Sequence, residues 1–313
     1  MRAPCLFLFL SLIPALLRCA EGTTGADILN TRPSARGSAV GGAFVGLGDD
    51  LSALSYNPAA LQKITAPSID FLQFTQVDSV SLEDIAYAQP LSFGTVALAI
   101  VYQGQPAIAN PQATDAPVVA WNLVITAAYG VDLNRFALPL PAFLQNADAG
   151  IAVKYVQSHL GTYDAYTGAV DVGMHIPLDA GVLLGASILN IGPPIKFISV
   201  ADALPTTALL GLSRAFAPLW SNQINVAADV DYPLQDATRL HVGLEDWINN
   251  SIALRAGYII DTNPSLSGAT FGLGAQLIQD GLTFHLDYAL LPLYFQGFSS
   301  FESQNQFQLS LIF

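Results

Sequence analysis

Apolar and polar residues alternate with a period of two along most of the chain, which is typical of β-strands with two different faces. Near the C-terminal end, the even positions 304, 306, 308 and 310 are Gln, Gln, Gln and Ser, whereas the odd positions 307, 309, 311 and 313 are Phe, Leu, Leu and Phe. One face of each predicted strand is therefore apolar, and the other is small, polar or charged. The same alternation recurs in residues 166–176, 224–231, 240–245 and 283–288.

Fourteen segments of the chain have the length and composition of strands, and an even number closes a bacterial single-chain barrel with both ends on one side. If those ends are periplasmic, the longer loops lie outside. Residues 132–146, on the inner side, do not fit this asymmetry and are either a surface helix or a miscount. The predicted strands are 67–78, 81–90, 92–104, 117–131, 147–159, 163–177, 180–191, 204–216, 222–233, 236–247, 250–261, 267–279, 281–290 and 303–313.

Composition decides which way the apolar faces point. The 313 residues are 52% hydrophobic and only 11% charged, with a mean hydropathy of +0.45. A soluble sandwich would need a more polar outer surface, whereas a membrane barrel turns its apolar face to lipid. Proline, glycine and glutamine interrupt the longest charge-free tract, 85–114, so transmembrane helices are not predicted. We therefore predict an all-β fold, a transmembrane antiparallel β-barrel of fourteen strands.

The first twenty residues resemble a secretion signal, with a basic start at Arg2 followed by a short apolar stretch. We expect cleavage after Ala20 and location in the bacterial outer membrane, with lipidation at Cys19 as the alternative. Both cysteines, Cys5 and Cys19, belong to residues 1–20, so no disulfide or thiolate site is expected beyond them. The net charge is −13. Such an acidic chain is a poor partner for nucleic acid, which we exclude.

Residues 21–65 lack the alternation and are rich in small residues, as in the sequence AVGGAFVGLGDDLSALSYNPAAL at 39–61. Asp49 or Asp50 can begin a short helix, and Pro58 disfavours helical structure at Asn57. A barrel of fourteen strands is too wide to be filled by its own side chains. We therefore predict that residues 21–65 plug a barrel formed by residues 66–313.

At these residues the chain resembles the PorV/UPF0164 group of outer-membrane proteins, which is related to the FadL-type long-chain fatty acid transporters. The resemblance extends over nearly the whole mature chain, to the terminal LSLIF. It is carried by Gly25–Ala26, Ala35–Arg36, Gly41–Gly42–Ala43–Phe44, Asp49–Asp50, Asn57–Pro58–Ala59, and the sequences NIGPPIKF (190–197), ALPTTALLGLS (203–213), LRAGY (254–258) and LDYAL (286–290).

The resemblance implies a fourteen-stranded barrel with an N-terminal hatch that carries Asn-Pro-Ala. FadL-type transporters take up long-chain fatty acids or other hydrophobic molecules and release them through hatch movement and a gap in the wall. PorV-type relatives instead serve a protein secretion system as shuttles. A structural barrel or adhesin is a third possibility. Expected partners are hydrophobic small molecules, membrane lipids, secretion-system proteins in the second case, and the barrel-assembly machinery, through Phe313.

The candidate site residues lie in the hatch, and each has two interpretations. Asn57, Pro58 and Ala59 either form a gating hinge or an ordinary turn that ends a helix. Asp49 and Asp50 either form a cation site or latch to the wall, or cap a helix. Phe44 faces a ligand or packs within the plug. Loop 192–203, with Phe197 and Ile198, either docks an apolar substrate or is an ordinary packed loop.

The remaining chemistry-bearing residues predict no enzyme, cofactor or metal site. No phosphate loop, nucleophile elbow or catalytic carboxylate pair is present in the sequence. The histidines, His159, His175, His241 and His285, share no metal-ligand spacing and are expected to be scattered lumenal polar residues. Aromatic residues near the strand ends are expected to form interfacial girdles. These are Tyr87, Tyr102, Trp121, Tyr129, Trp220, Tyr232, Trp247, Tyr258 and Tyr294.

Overall fold

The computed structural model describes residues 24–75, 79–107, 117–136, 139–216, 221–261, 267–293 and 302–313. The predicted signal, residues 1–20 with Cys19, lies outside the described residues, as do the aromatic residues Trp220 and Tyr294. Among the described residues, no helix is long and apolar enough to cross a membrane.

Fourteen antiparallel strands form one closed barrel, in which each strand pairs with the next barrel strand along the chain, and the first (Ser68–Thr75) closes against the last (Glu302–Ile312). Each predicted segment corresponds to one barrel strand, with ends that agree to within three residues, so the predicted fold is confirmed. Two further short strands, β8 (Ile195–Phe197) and β9 (Val200–Asp202), form a hairpin in the loop after Ile191. The barrel strands are β1 (Ser68–Thr75), β2 (Ser81–Leu91), β3 (Gly94–Gly104), β4 (Ala120–Asp132), β5 (Asp148–Leu160), β6 (Tyr163–Pro177), β7 (Val182–Ile191), β10 (Thr207–Ala215), β11 (Asn222–Pro233), β12 (Arg239–Ile248), β13 (Ile252–Asp261), β14 (Gly268–Gln279), β15 (Leu282–Leu293) and β16 (Glu302–Ile312).

The apolar face of the strands points outward. On β12, Leu240, Val242 and Leu244 are exposed, whereas His241 and Glu245, at the alternate positions, are buried. A soluble sandwich would bury the apolar set, so this arrangement is that of a barrel whose outer surface contacts lipid. Several girdle candidates, among them Tyr87, Tyr102 and Tyr258, are exposed on this outer face. Trp247 is not part of this outer set. It lies two positions after Glu245, on the same inward face, and lines a cavity.

The two rims of the barrel differ in their connections. The terminal rim is the end that carries Ser68 and Ile312, which pair with each other; the distal rim is the opposite end. Connections at the terminal rim include tight turns at residues 249–251 and 280–281, where Asn249, Asn250 and Asp280 have positive φ. Residues 133–147, also at this rim, contain 3-10 helices at Leu133–Phe136 and Ala142–Leu144. The sequence left open whether this long connection is a surface helix or a sign of a miscounted strand. The count of fourteen strands is right, and the connection contains short helices.

The N-terminal segment, residues 24–66, lies in the lumen, where it contacts inward-facing residues of strands on opposite sides of the barrel. It consists of short helical turns: a 3-10 helix at Asp27–Asn30, α1 (Ala35–Ala39), and 3-10 helices at Leu51–Ser55 and Pro58–Lys63. The short helix expected from Asp49 or Asp50 is the one at Leu51–Ser55. The barrel has an interior packed with protein, and the apolar core lies between this segment and the wall.

Candidate functional site

The Asn57-Pro58-Ala59 turn is seated against three glycines of the wall. Gly130, Gly150 and Gly173 are direct neighbours across β4, β5 and β6. A Cβ atom on Gly150 would collide with the backbone of Pro58 and Ala59, and one on Gly173 would collide with the Asn57 side chain. The glycines therefore let the turn approach the strand backbone closely.

Asn57 is completely buried and uses both ends of its amide. Its Oδ1 accepts a hydrogen bond from the Ala59 N–H at 3.1 Å, so Asn57 caps the helix that begins at Pro58. Its Nδ2 donates to the carbonyl oxygens of Val45, at 3.2 Å, and Met174, at 3.0 Å. Because Met174 belongs to β6, one side chain joins two parts of the N-terminal segment to the wall.

On the other side of the lumen, the stretch from Val40 to Gly46 also packs against glycines of the wall. Gly243 and Gly257, which face each other on β12 and β13, leave room for the backbone of Val40 and Gly41. Gly41 has a φ of +70°, a left-handed conformation that glycine adopts without strain. The small residues Gly41 and Gly42 therefore lie where the segment packs closely against the wall.

Polar side chains of the wall bind backbone carbonyls of the segment. The His175 Nε2–H donates to Val45 O at 2.8 Å, and the His241 Nδ1–H donates to Gly41 O at 2.7 Å. The sequence predicts these two histidines only as scattered lumenal residues. Their spacing gives no indication that both donate hydrogen bonds to the N-terminal segment. Three hydroxyls do the same: Ser187 to Tyr56 O, Ser213 to Gly46 O and Thr270 to Ala39 O. Among the described residues, no group of three or more His, Cys, Asp and Glu could hold a metal ion.

A buried ionic cluster ties α1 to the wall. Arg36 makes two hydrogen bonds of 2.8 Å to Glu245 of β12, and Glu245 also accepts from Arg255 of β13 at 2.7 Å. Arg255 continues to Asp287 of β15. Glu245 and Arg255 were absent from the sequence-based candidates, because an alternating strand shows which face they occupy but not what they meet there.

Asp49 and Asp50 join this cluster. Both carboxylates pair with the Arg36 guanidinium, at 2.5 and 2.8 Å. Asp50 precedes the Leu51–Ser55 helix and also accepts from the Ser52 hydroxyl at 2.6 Å. The two residues are thus linked to Glu245 of the wall through Arg36.

Phe44 and Tyr56 form the apolar centre of the segment. Phe44 is completely buried, and its ring meets the Tyr56 ring edge to face with centroids 5.4 Å apart. The Arg36 and Arg32 guanidiniums lie over the Phe44 and Tyr56 rings, at 5.4 and 5.3 Å. Burial raises the pKa of the Tyr56 phenol, which therefore stays protonated. In this structure Phe44 packs within the segment.

Two cavities lie on opposite sides of the N-terminal segment. The terminal cavity, about 210 Å³, is lined by Arg36, Asp49, Asp50, Lys63, Trp247 and His285, among others. The distal cavity, about 390 Å³, is lined by Arg32, Tyr56, Asp231, Arg239, Asp261 and Gln306, among others. The two cavities share no lining residue among those described. The segment therefore separates them.

The wall is irregular where β7 ends. β6 pairs with β5 along its full length, but its pairing with β7 is limited to Val170–Pro177 and shifts register between Val170 and Val172. The chain after Ile191 turns into the lumen, where Ile195 is completely buried and Ala203 O accepts from Gly25 N at 2.9 Å. In this loop Phe197 packs partly against the core, whereas Ile198 is 72% exposed.

Solved structures with a similar fold include a transporter, a channel and a FadL homologue. The toluene transporter TodX of Pseudomonas putida matches with a TM-score of 0.55 at 15% identity, over 94% of this chain and 98% of that one. A TodX variant described as a monoaromatic hydrocarbon channel gives 0.56 at 13% identity, over 89% and 97%. A Pseudomonas aeruginosa FadL homologue gives 0.52 at 10% identity, over 88% and 96%. No protein-family model matches the chain, and no curated protein matches it significantly. At these identities the likeness shows the fold.

Proposed function

We propose that this protein is an outer-membrane transporter that takes up hydrophobic small molecules through a barrel gated by its N-terminal segment. One observation carries the proposal: the segment separates a distal cavity from a terminal cavity. The solved proteins of similar fold include a toluene transporter and a FadL homologue, which supports the same class of cargo.

Passage through the barrel requires the N-terminal segment to move. Its backbone lies against wall glycines, so the lumen beside Asn57 has no free width for a ligand. Capture in an apolar site is favoured by about 0.8 kcal/mol for each buried CH₂ group. Binding alone would therefore retain the ligand, and release needs the Asn57 and Arg36 contacts to break.

The finer parts of the proposal follow the sequence resemblance. Long-chain fatty acids are the proposed cargo, and the end of β7 is a candidate for the gap in the wall, because pairing with β6 is incomplete there. We also propose that residues 1–20 are a removed signal and that Phe313, at the end of β16, is read by the barrel-assembly machinery.

A second candidate is a component or shuttle of a protein secretion system, as in PorV-type proteins, or an adhesin-like surface barrel. The observation that favours it is the β8–β9 hairpin at the distal rim, whose apolar residues Ile198 and Val200 are 72% and 65% exposed. Such a surface can contact another protein. The packed interior and its two separated cavities favour transport as the first choice.

Uptake of radiolabelled oleate by a Gram-negative strain without its own fatty-acid uptake barrel tests the proposal. Cells that express the protein should accumulate oleate several-fold faster than cells with an empty vector, and Asn57→Ala should change the rate. Asn134→Ala, at an exposed asparagine of the terminal rim, is the matched control. Equal uptake with and without the folded barrel would exclude fatty-acid transport, and a stable complex with secretion proteins would support the second candidate.

A further inference from the structure

The lining of the distal cavity is not purely apolar. The cavity's volume of about 390 Å³ falls in the range of small-molecule sites, which are usually lined mainly by apolar side chains. Here the polar residues come from β11, β12, β13 and β16 and from the N-terminal segment, whereas Phe74 of β1, Ile259 of β13 and Leu291 of β15 supply apolar surface. The lining is therefore amphipathic.

The cations of this cavity are already neutralised by protein carboxylates. Arg32 pairs with Asp231 at 2.7 Å, and Arg239 pairs with Asp261 at 2.7 Å and Asp236 at 2.6 Å. An incoming carboxylate would have to compete with these aspartates and would add a like charge beside them. The charge distribution therefore does not favour an anionic head group.

Two buried oxygens of the lining accept no hydrogen bond from any residue that the structure describes. They are Oε1 of Gln306, a residue 4% exposed, and Oδ1 of Asp231, a residue 2% exposed. Both are acceptors, so only a hydrogen-bond donor can satisfy them. Burial without a partner is costly, and a ligand that donates here gains the corresponding free energy.

From this geometry we propose that the distal cavity binds the uncharged, hydroxyl-bearing head of an amphiphile, with its apolar body against Phe74, Ile259 and Leu291. The inference rests on the proposed transport function and narrows its substrate class. A hydroxyl supplies the donor that the Gln306 amide oxygen lacks among the described residues. A fatty-acid carboxylate offers no donor, and neither does a plain hydrocarbon.

Native mass spectrometry of the purified protein tests this with two probes that share one acyl chain, 1-monolauroylglycerol and dodecanoate. Lauryldimethylamine oxide at pH 8 is the detergent, because it has no hydroxyl group. At equal probe concentrations, we expect the occupancy of one glyceride molecule to exceed that of dodecanoate about tenfold. Gln306→Leu should lower glyceride binding roughly three- to tenfold, because it removes one hydrogen bond, and should leave dodecanoate binding unchanged.

Two further variants control the experiment. Ser158→Ala also removes a buried oxygen that has no partner among the described residues, but Ser158 lines neither cavity. This variant should leave binding unchanged. Ile259→Trp fills the cavity and should exclude the glyceride. Heat-modifiable migration on gels confirms that each variant is folded.

The outcomes separate this inference from the proposed function. Equal occupancy by the two probes, or an equal effect of Gln306→Leu and Ser158→Ala, would overturn the head-group assignment. If cells still take up oleate in that case, the transport proposal stands. Absence of binding by either probe together with absence of oleate uptake would overturn both.

Discussion

Arg36 and Glu245 form a two-bonded ion pair inside the barrel, with Nε and Nη2 of the arginine each 2.8 Å from a glutamate oxygen. The pair joins α1 of the N-terminal segment to β12, across 209 positions of sequence. Glu245 is completely buried. Buried ion pairs add little stability compared with apolar substitutes, but removal of one partner leaves an uncompensated charge. The pair therefore fixes where the segment lies.

Glu245→Ala should destabilise the folded protein strongly. It leaves the guanidiniums of Arg36 and Arg255 without their shared carboxylate, and loss of one partner of a buried pair costs about 3–5 kcal/mol. Asp164→Ala breaks the exposed pair with His159 and should cost at most about 1 kcal/mol. Urea unfolding in detergent micelles, followed by tryptophan fluorescence, measures both. Equal small effects would show that the Arg36 cluster does not hold the segment.

Gly173→Ala should push the N-terminal segment away from β6. The added Cβ would occupy the position of the Asn57 amide, and overpacking of this kind costs about 1–3 kcal/mol. Gly168→Ala, on the same strand, would meet only Lys154 O at 3.5 Å and is the matched control. Conductance in planar lipid bilayers should rise for the first variant and not for the second. An unchanged conductance in both would place the closure elsewhere.

Asn57→Ala should loosen the turn without unfolding the barrel. It removes the cap on Ala59 N–H and the donors to Val45 O and Met174 O, and groups left unpaired cost about 1–3 kcal/mol each. Asn57→Asp should be worse, because a carboxylate oxygen would face two carbonyl oxygens. Hydrogen exchange of the peptide containing Ala59 measures the effect. If the amides of this peptide were as protected from exchange as in the native chain, the Asn57 hydrogen bonds would not be what holds the turn in place.

The outward apolar face predicts where a charge is tolerated. Leu98 lies near the middle of β3 and is exposed, so Leu98→Arg should cost about 2–4 kcal/mol in lipid. Leu277, exposed near the terminal end of β14, should tolerate arginine at about 0–1 kcal/mol. Folding titrations in phosphatidylcholine vesicles compare the two. An equal cost at both positions would contradict this placement of the membrane.

The barrel could be predicted from sequence because strand alternation is local. Phe307, Leu309 and Leu311 show the lipid face of β16 without knowledge of any neighbouring strand. The lumenal contacts could not be predicted in this way, because they join distant residues such as Arg36 with Glu245, or Val45 with His175. The cluster at 39–61 indicated a plug and included Asp49, Asp50 and Asn57. It gave no sign of the wall glycines Gly130, Gly150 and Gly173, whose role depends on strand register.

The most direct test of the gating claim is a distance measurement on spin labels at Asp49→Cys and Ser251→Cys. Both cysteines of the native chain belong to the predicted signal, and Asp49 leaves Asp50 to pair with Arg36. Double electron–electron resonance spectroscopy should give one narrow distance distribution without ligand. A second population of molecules, with a longer distance between the labels, should appear when oleate is added. An unchanged distribution in a protein that still transports oleate would contradict the account, because cargo would then pass without movement of the segment.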